Sequence, residues 1–219
     1  MWCIGRMTEE YRHRMYDLLD LYGRPFRRRE PVVCLDEKSK QLLKDSRVPL
    51  PIRPGMPVRQ DYEYVRSGTC NVFVAVEPKG GRRTVLVTDR RTKPDFVAFV
   101  QHLLEQVYAK AYRVHLVMDN LNTHFFKSFE EVLGVKAAKK LLRRAVFHYT
   151  PKHASWLNMA EIEIGVLDRQ CLNRRLPDRD AIVAEVDAWQ QRRNDDQRRI
   201  EWSFTRQDAD RKLAQHYVS

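Results

Sequence analysis

Phe147-His-Tyr-Thr-Pro151-Lys-His-Ala-Ser155-Trp-Leu-Asn158-Met-Ala-Glu161-Ile-Glu163 passes from an apolar, strand-like run through a proline-containing turn into a helical segment that carries two acids. Two earlier stretches also close on an acid: Pro31-Val-Val-Cys-Leu-Asp36-Glu37 and His115-Leu-Val-Met-Asp119-Asn120. If the three runs share one sheet, a carboxylate from each is delivered to one place. Several carboxylate oxygens gathered at a point are the donor set of a hard divalent cation.

Working outward, residues 7 to 22 place Tyr11, Met15, Leu18, Leu19 and Tyr22 at helical spacing behind Thr8 as an N-cap, and Gly23 ends that helix. The charged linker 24–31 sets it apart as an appendage to the core. Pro31–Leu35 reads as a short strand covered on both faces, with Asp36 at its end. The Pro- and Arg/Lys-rich residues 44–69 read as a basic surface excursion. Strands at Cys70–Val76 and Arg83–Thr88 flank the hairpin signal Pro78-Lys-Gly-Gly81. A helix follows at Pro94–Tyr108, then a strand at Tyr112–Met118. Next come a helical, strongly basic segment at 125–143 broken near Gly134, and a strand at Ala145–Tyr149. Further helices are expected from Ser155 to about Arg174, at Asp180–Arg193, and near Thr205–Gln215.

Three consecutive strands, then helix, strand, helix, strand, helix, predict an α/β chain with a mixed five-stranded sheet, three strands antiparallel and two parallel, flanked by helices. That is the order of the ribonuclease-H-like fold, in which the first and fourth strands lie side by side and bring Asp36 and Asp119 to the same end. The organisation read from the chain is an N-terminal helix and basic linker over 1–30, the main domain over 31–195, and a helical tail over 196–219.

Charge narrows the partner. Forty Lys and Arg against 29 Asp and Glu give a formal net charge of +11 over 219 residues, which favours a polyanion over an acidic small molecule. No run is long and apolar enough for a membrane span or a signal peptide, so the expected location is the cytoplasm, with no membrane partner. Cys3, Cys34, Cys70 and Cys171 are scattered and form no C-x-x-C pair, which points to small buried side chains rather than ligands. His124, His148 and His153 have no zinc spacing and read as hydrogen-bonding or phosphate-contacting groups.

Periodicity leaves the third acid open. Leu157, Ala160, Ile164, Leu167 and Cys171 form one apolar stripe at about 100° per residue, with Glu161 and Glu163 flanking it on opposite sides. Ile162 and Val166 suggest a second covered strip. Glu161 also sits where it can close a capping box with Asn158. On a strand, Asp36 and Glu37 point to opposite faces, so only one of them can face a metal.

Taken together, Val-Cys-Leu-Asp36-Glu37, Val-Met-Asp119-Asn120-Leu-Asn-Thr-His124 and Phe-His-Tyr-Thr-Pro151-Lys-His-Ala-Ser155-Trp-Leu-Asn158-Met-Ala-Glu161 resemble the catalytic domain of an insertion-sequence transposase of the insertion-sequence-630 family, in the mariner superfamily of DDE transposases. The resemblance runs from about residue 31 through Ile200-Glu-Trp-Ser-Phe-Thr205. It implies metal-dependent DNA cleavage and strand transfer with two Mg²⁺ or Mn²⁺ ions, acting on double-stranded transposon ends and target, with a homodimer as one possible state. It maps the acids onto Asp36, Asp119 and, through Ser155-x-x-Asn158-x-x-Glu161, Glu161. It also makes Lys152, His153, Trp156, Asn120 and His124 candidate DNA contacts. Two features depart from the pattern: the interval from Asp119 to Glu161 is long, with the excess in the basic 125–144 segment, and only one short helix stands where helix-turn-helix domains are usual. The expectation is a catalytic fragment, either a truncated product or one half of a frameshifted one.

Overall fold

The computed structural model describes residues 7–48, 54–55, 61–119 and 126–217. At its centre is a five-stranded sheet of β1 (Val32–Asp45), β2 (Tyr64–Glu77), β3 (Arg82–Thr88), β4 (Val114–Met118) and β5 (Ala145–Tyr149), in the order β3-β2-β1-β4-β5. β1 to β3 pair antiparallel, and β4 and β5 extend the sheet parallel to β1. This is the ribonuclease-H-like arrangement that the element order implies.

Alternation along the central strands assigns the two faces. Val33, Leu35, Phe73, Ala75, Leu116 and Met118 face one core. It is filled by α2 (Lys93–His102, continued by a π-turn over Leu103–Val107), α3 (Phe126–Leu133) and α4 (Val135–Leu142). Cys34, Val76 and Val117 face the other side, which α1 (Glu9–Gly23), α5 (Met159–Leu167) and α7 (Arg206–Leu213) cover. α6 (Arg179–Asp195) packs with the end of α5 over Val72 and Val74. Cys34, Cys70 and Cys171 are free and buried, as their apolar surroundings imply; Cys3 lies outside the described residues.

Three expectations change. The first strand does not stop at Leu35: β1 runs on to Asp45, paired with β2, which itself starts at Tyr64 rather than Cys70. Apart from Leu42 and Leu43 the added half is polar, and most of it is half-buried or exposed; β4 covers β1 only from Val32 to Cys34. The backbone ladder, with no apolar alternation, sustains this extension, so periodicity missed it. Both ends of the supposed 44–69 excursion, 44–45 and 64–69, are therefore strand, while 49–53 and 56–60 lie outside the described residues. The first helix is no appendage either: Met15, Leu18, Leu19, Leu21 and Tyr22 are buried in the second core. Finally, the second strip expected on α5 is covered only in part: Ile162 is 47% exposed, while Val166 is half-buried against the core under α6.

Gly134 separates α3 from α4 at a φ of 80°, a conformation open to glycine without strain, which is why the basic helical segment breaks there.

Candidate active site

The parallel pairing of β1 with β4 sets the register Val32↔His115, Val33↔Leu116, Cys34↔Val117. Carried on by two residues, it puts Asp36 beside Asp119, the residue after the last of β4. Asp36 sits where β1 loses its parallel neighbour, in the middle of a long strand rather than at its end. Its Oδ1 accepts the Glu37 N–H at 2.9 Å. Burial pushes the Asp36 carboxyl up to about 7. The Glu37 amide works against that shift, while the charges of Glu37, Asp119 and Glu161 add to it. Asp119 and Glu161 are thus electrostatic neighbours of Asp36. Glu37 turns to a different partner, Arg91 Nη1 at 3.0 Å from its Oε1, as alternation along a strand requires.

The turn after β5 delivers the third acid. A short 3₁₀ turn, Ser155–Leu157, leads into α5, and Asn158 caps that helix. Asn158 Oδ1 accepts from Ala160 N at 3.1 Å, and its Nδ2 donates to Leu35 O at 2.8 Å. One buried side chain therefore starts the helix and ties it to the strand residue next to Asp36. The Asn158 N–H is already given to Ser155 O at 2.7 Å, which removes the donor that a capping box with Glu161 needs. Glu161 is exposed. Glu163, on the other flank of the stripe, is 1% exposed and spent on structure. Arg83 Nε and Nη2 meet its two oxygens at 3.0 and 2.9 Å, and Arg193 Nε reaches Oε1 at 2.9 Å. Arg83 is itself locked to α6, since Asn194 Oδ1 accepts the Arg83 N–H at 2.6 Å and Asn194 Nδ2 donates to Arg83 O at 2.9 Å. No local pattern signals this trio, because its members come from β3, α5 and α6.

Among the described residues no three His, Cys, Asp or Glu side chains stand close enough together to hold a metal ion. Asp36, Asp119 and Glu161 are neighbours in charge without forming a closed cage. Their chemistry nonetheless fits a hard divalent cation: they are carboxylate oxygens whose repulsion adds to the upward shift that burial gives Asp36, and positive charge relieves that repulsion.

Of the expected DNA contacts, Lys152 and His153 are exposed in the turn, with His153 at a φ of 65°. Trp156 is 42% exposed and stacks on Trp202 at 6.3 Å, with the Phe204 ring edge-on at 5.6 Å, so one side of its indole is already occupied. Asn120 and His124 lie outside the described residues. His148 is a hydrogen-bonding group: its Nδ1 pairs with Asp17 Oδ2 at 2.5 Å and its Nε2 with His115 Nδ1 at 2.9 Å. Burial and the adjacent His148 lower the His115 pKa to about 4.

Comparison with solved structures gives fold-level likenesses. The Mos1 mariner paired-end complex with Mn has a TM-score of 0.56 at 16% identity, covering 90% of this chain and 60% of that one. A pre-cleavage Mos1 transpososome gives 0.57 at 16%, covering 100% and 66%, and the Mos1 strand transfer complex 0.56 at 14%, covering 87% and 57%. This chain thus spans about 60% of the length of the first of these. Comparison with curated protein sequences gives no match. No helix among the described residues is long and apolar enough to cross a membrane. The family model described as DDE superfamily endonuclease matches residues 31–183, a span that holds all three acids and all five strands. On that match, the chain belongs to the DDE superfamily endonuclease family.

Proposed function

We propose that this chain is the catalytic part of a transposase of the insertion-sequence-630 family, within the mariner superfamily, which cleaves and joins DNA strands. Its substrates are double-stranded transposon ends and target DNA in the bacterial cytoplasm, and the working form is a homodimer. The observation that carries this reading is the sheet register that sets Asp36 beside Asp119, with the charge of Glu161 added to theirs.

Asp36, Asp119 and Glu161 are the residues we assign to hold two Mg²⁺ or Mn²⁺ ions. When bound, such ions supply a nucleophilic water at neutral pH and stabilise charge on the leaving oxygen. The chain's own part is placement. β1 and β4 fix two acids in register, Asn158 pins the helix that bears the third, and Arg91 keeps Glu37 turned elsewhere. Lys152, His153 and the free side of Trp156 are the groups we assign to the DNA backbone and a base; Asn120 and His124 are proposed as further contacts.

The test is nicking of duplex DNA in Mg²⁺ or Mn²⁺ by the full chain and three variants. Asp119→Asn and Glu161→Gln are expected to fold normally and lose at least about 100-fold in rate, beyond the 10- to 100-fold typical of an outer-shell change. Glu163→Gln leaves Arg83 buried without its partner and is expected to lose about 3–5 kcal/mol of stability instead. Cleavage that survives Asp119→Asn would sink the assignment. The absence of a closed three-ligand group among the described residues favours one rival, a DNA-binding remnant without catalysis. It predicts salt-sensitive binding and no metal-dependent cleavage by the unaltered chain.

A further inference from the structure

At the far end of the sheet from the acids, an open cleft of about 1150 Å³ lies between the linker after α1, the β2–β3 hairpin, the turn before β4 and the segment after α6. Glu77 leads into that hairpin and, in the β1–β2 register, falls beyond the Cys34↔Val76 pair, at the start of β1. The cleft is therefore separated from Asp119 by the length of β4, about 16 Å at 3.3 Å per residue.

Five exposed cations line it: Arg28, Arg29, Arg82, Lys110 and Arg199. They come from four separate segments, so the cluster is a product of the fold and not of one basic run. Glu77 is the only acid among the described lining residues, and it is 7% exposed. Burial raises its pKa, while a hydrogen bond with Tyr108 and the charges of Arg82 and Arg28 hold it down. The amides of Gln106 and Gln197 add uncharged polar groups to the walls, while that of Asn194 is spent on the Arg83 backbone. Arginine forks match phosphate oxygens, and mixed cationic and amide walls are what backbone contacts to nucleic acid use. A single-strand site needs free aromatic faces for bases to stack on. Here Tyr108 is buried and lies beneath the Arg82 guanidinium, 5.8 Å from its ring centre, which leaves Phe26 as the exposed ring.

We propose that this cleft is a second DNA-binding surface, which grips the phosphate backbone of a duplex segment other than the one presented to Asp36, Asp119 and Glu161. It rests on the nuclease reading only in naming duplex DNA as the partner. A cutting and joining enzyme handles two duplexes, and a surface at the opposite end of the sheet lets one chain hold one while acting on the other.

The test is fluorescence anisotropy with a short duplex across a salt series, in EDTA and in an Asp119→Asn background, so that neither metal nor cleavage enters. Arg28→Gln/Arg29→Gln and Arg82→Gln/Arg199→Gln are each expected to lower the slope of log K against log salt by about 2 and to weaken binding at least about 10-fold at 100 mM salt. Lys136→Gln/Lys139→Gln, on the exposed face of α4, is the charge-matched control and should leave the slope unchanged. The two cleft pairs lie on different segments, and thermal melting checks that each variant is folded. An unchanged slope in both pairs, or an equal fall in the control, overturns the proposal. Binding of polyglutamate as strong as that of duplex, and lost with the same variants, assigns the cleft to an acidic protein and also overturns it. Because binding is read without cleavage, failure of the nuclease reading and failure of this one are separate results.

Discussion

Asp36 is the residue whose environment says most about the electrostatics of the site. Its ordinary pKa of 3.8 becomes about 7, because a carboxylate is being held partly out of water beside other carboxylates. A carboxyl whose folded pKa lies above its unfolded one binds its proton more tightly in the folded state. Stability is then greatest below about pH 4 for this group and falls as pH rises from about 4 to 7. The loss approaches roughly 4 kcal/mol above that window if the whole shift is expressed. Asp36→Asn removes the charge and should therefore raise the melting temperature in EDTA at pH 7.5 while leaving it nearly unchanged at pH 4. Saturating Mg²⁺ should stabilise the unaltered chain at pH 7.5 and do little for the variant. Melting curves at the two pH values decide it, and an Asp36→Asn that is destabilised at pH 7.5 in EDTA contradicts the account. The contrast with Glu163 is instructive: that carboxylate is far more deeply buried, yet two guanidinium groups compensate it, so burial alone does not mark a reactive acid.

At the scale of elements, the question is why the strand and helix that carry two of the acids meet where they do. Asn158 answers it with two hydrogen bonds, one starting α5 and one reaching the Leu35 carbonyl of β1. Asn158→Ala loses the cap, about 1 kcal/mol, and leaves a buried carbonyl unpaired, about 1–3 kcal/mol more. Asn158→Asp separates the two roles, since a carboxylate can cap the helix but cannot donate to Leu35 O. If the tie to β1 matters, Asp should lose stability and nicking activity nearly as Ala does; if capping is the whole role, Asp should be close to the unaltered chain. The Asn158 cap was legible from the sequence, and so were the five strands and the break at Gly134, because each leaves a local mark: an apolar run, a turn residue, a helix start; β4 as the parallel neighbour of β1 followed only from the likeness of the element order to the ribonuclease-H-like fold. The polar half of β1 was not legible, since a strand held by its backbone ladder beside one neighbour needs no alternation. The choice between Glu161 and Glu163 was equally invisible to periodicity. What sets Glu163 apart is its pairing with Arg83 and Arg193, which are distant in sequence and arrive only when β3 and α6 pack against α5.

For the whole molecule, the decisive fact is that the first and the last of the described α-helices are built into the same core. α1 contributes Met15, Leu18, Leu19, Leu21 and Tyr22, and from the other end Ile200, Trp202, Phe204 and Ala209 of α7 join them over Cys34, Val76 and Val117. Tyr22 shows how closely the layers are joined: its hydroxyl donates to Leu157 O at 2.7 Å, at the foot of α5, and its ring lies 5.2 Å from that of Trp202. Removing residues 1–30 uncovers the face of the sheet on which α5 and Asn158 rest. Full burial of a large apolar side chain is worth about 1.5–3 kcal/mol. The five from α1 thus contribute roughly 7–15 kcal/mol in gross terms, as large as the entire net stability of an ordinary domain, about 5–15 kcal/mol. A chain trimmed to residues 31–195 is therefore expected to lose its cooperative thermal transition and its near-ultraviolet circular dichroism, even though it retains Asp36, Asp119, Glu161 and the whole span of the family match. Restoring residues 7–30 alone should recover only part of the transition, because Trp202 and Phe204 would still be missing from above Trp156. Circular dichroism melts of the three lengths test this directly: a sharp transition in the 31–195 chain would mean that the sheet and its first core suffice, and that the terminal helices are supports the acid-bearing end can do without.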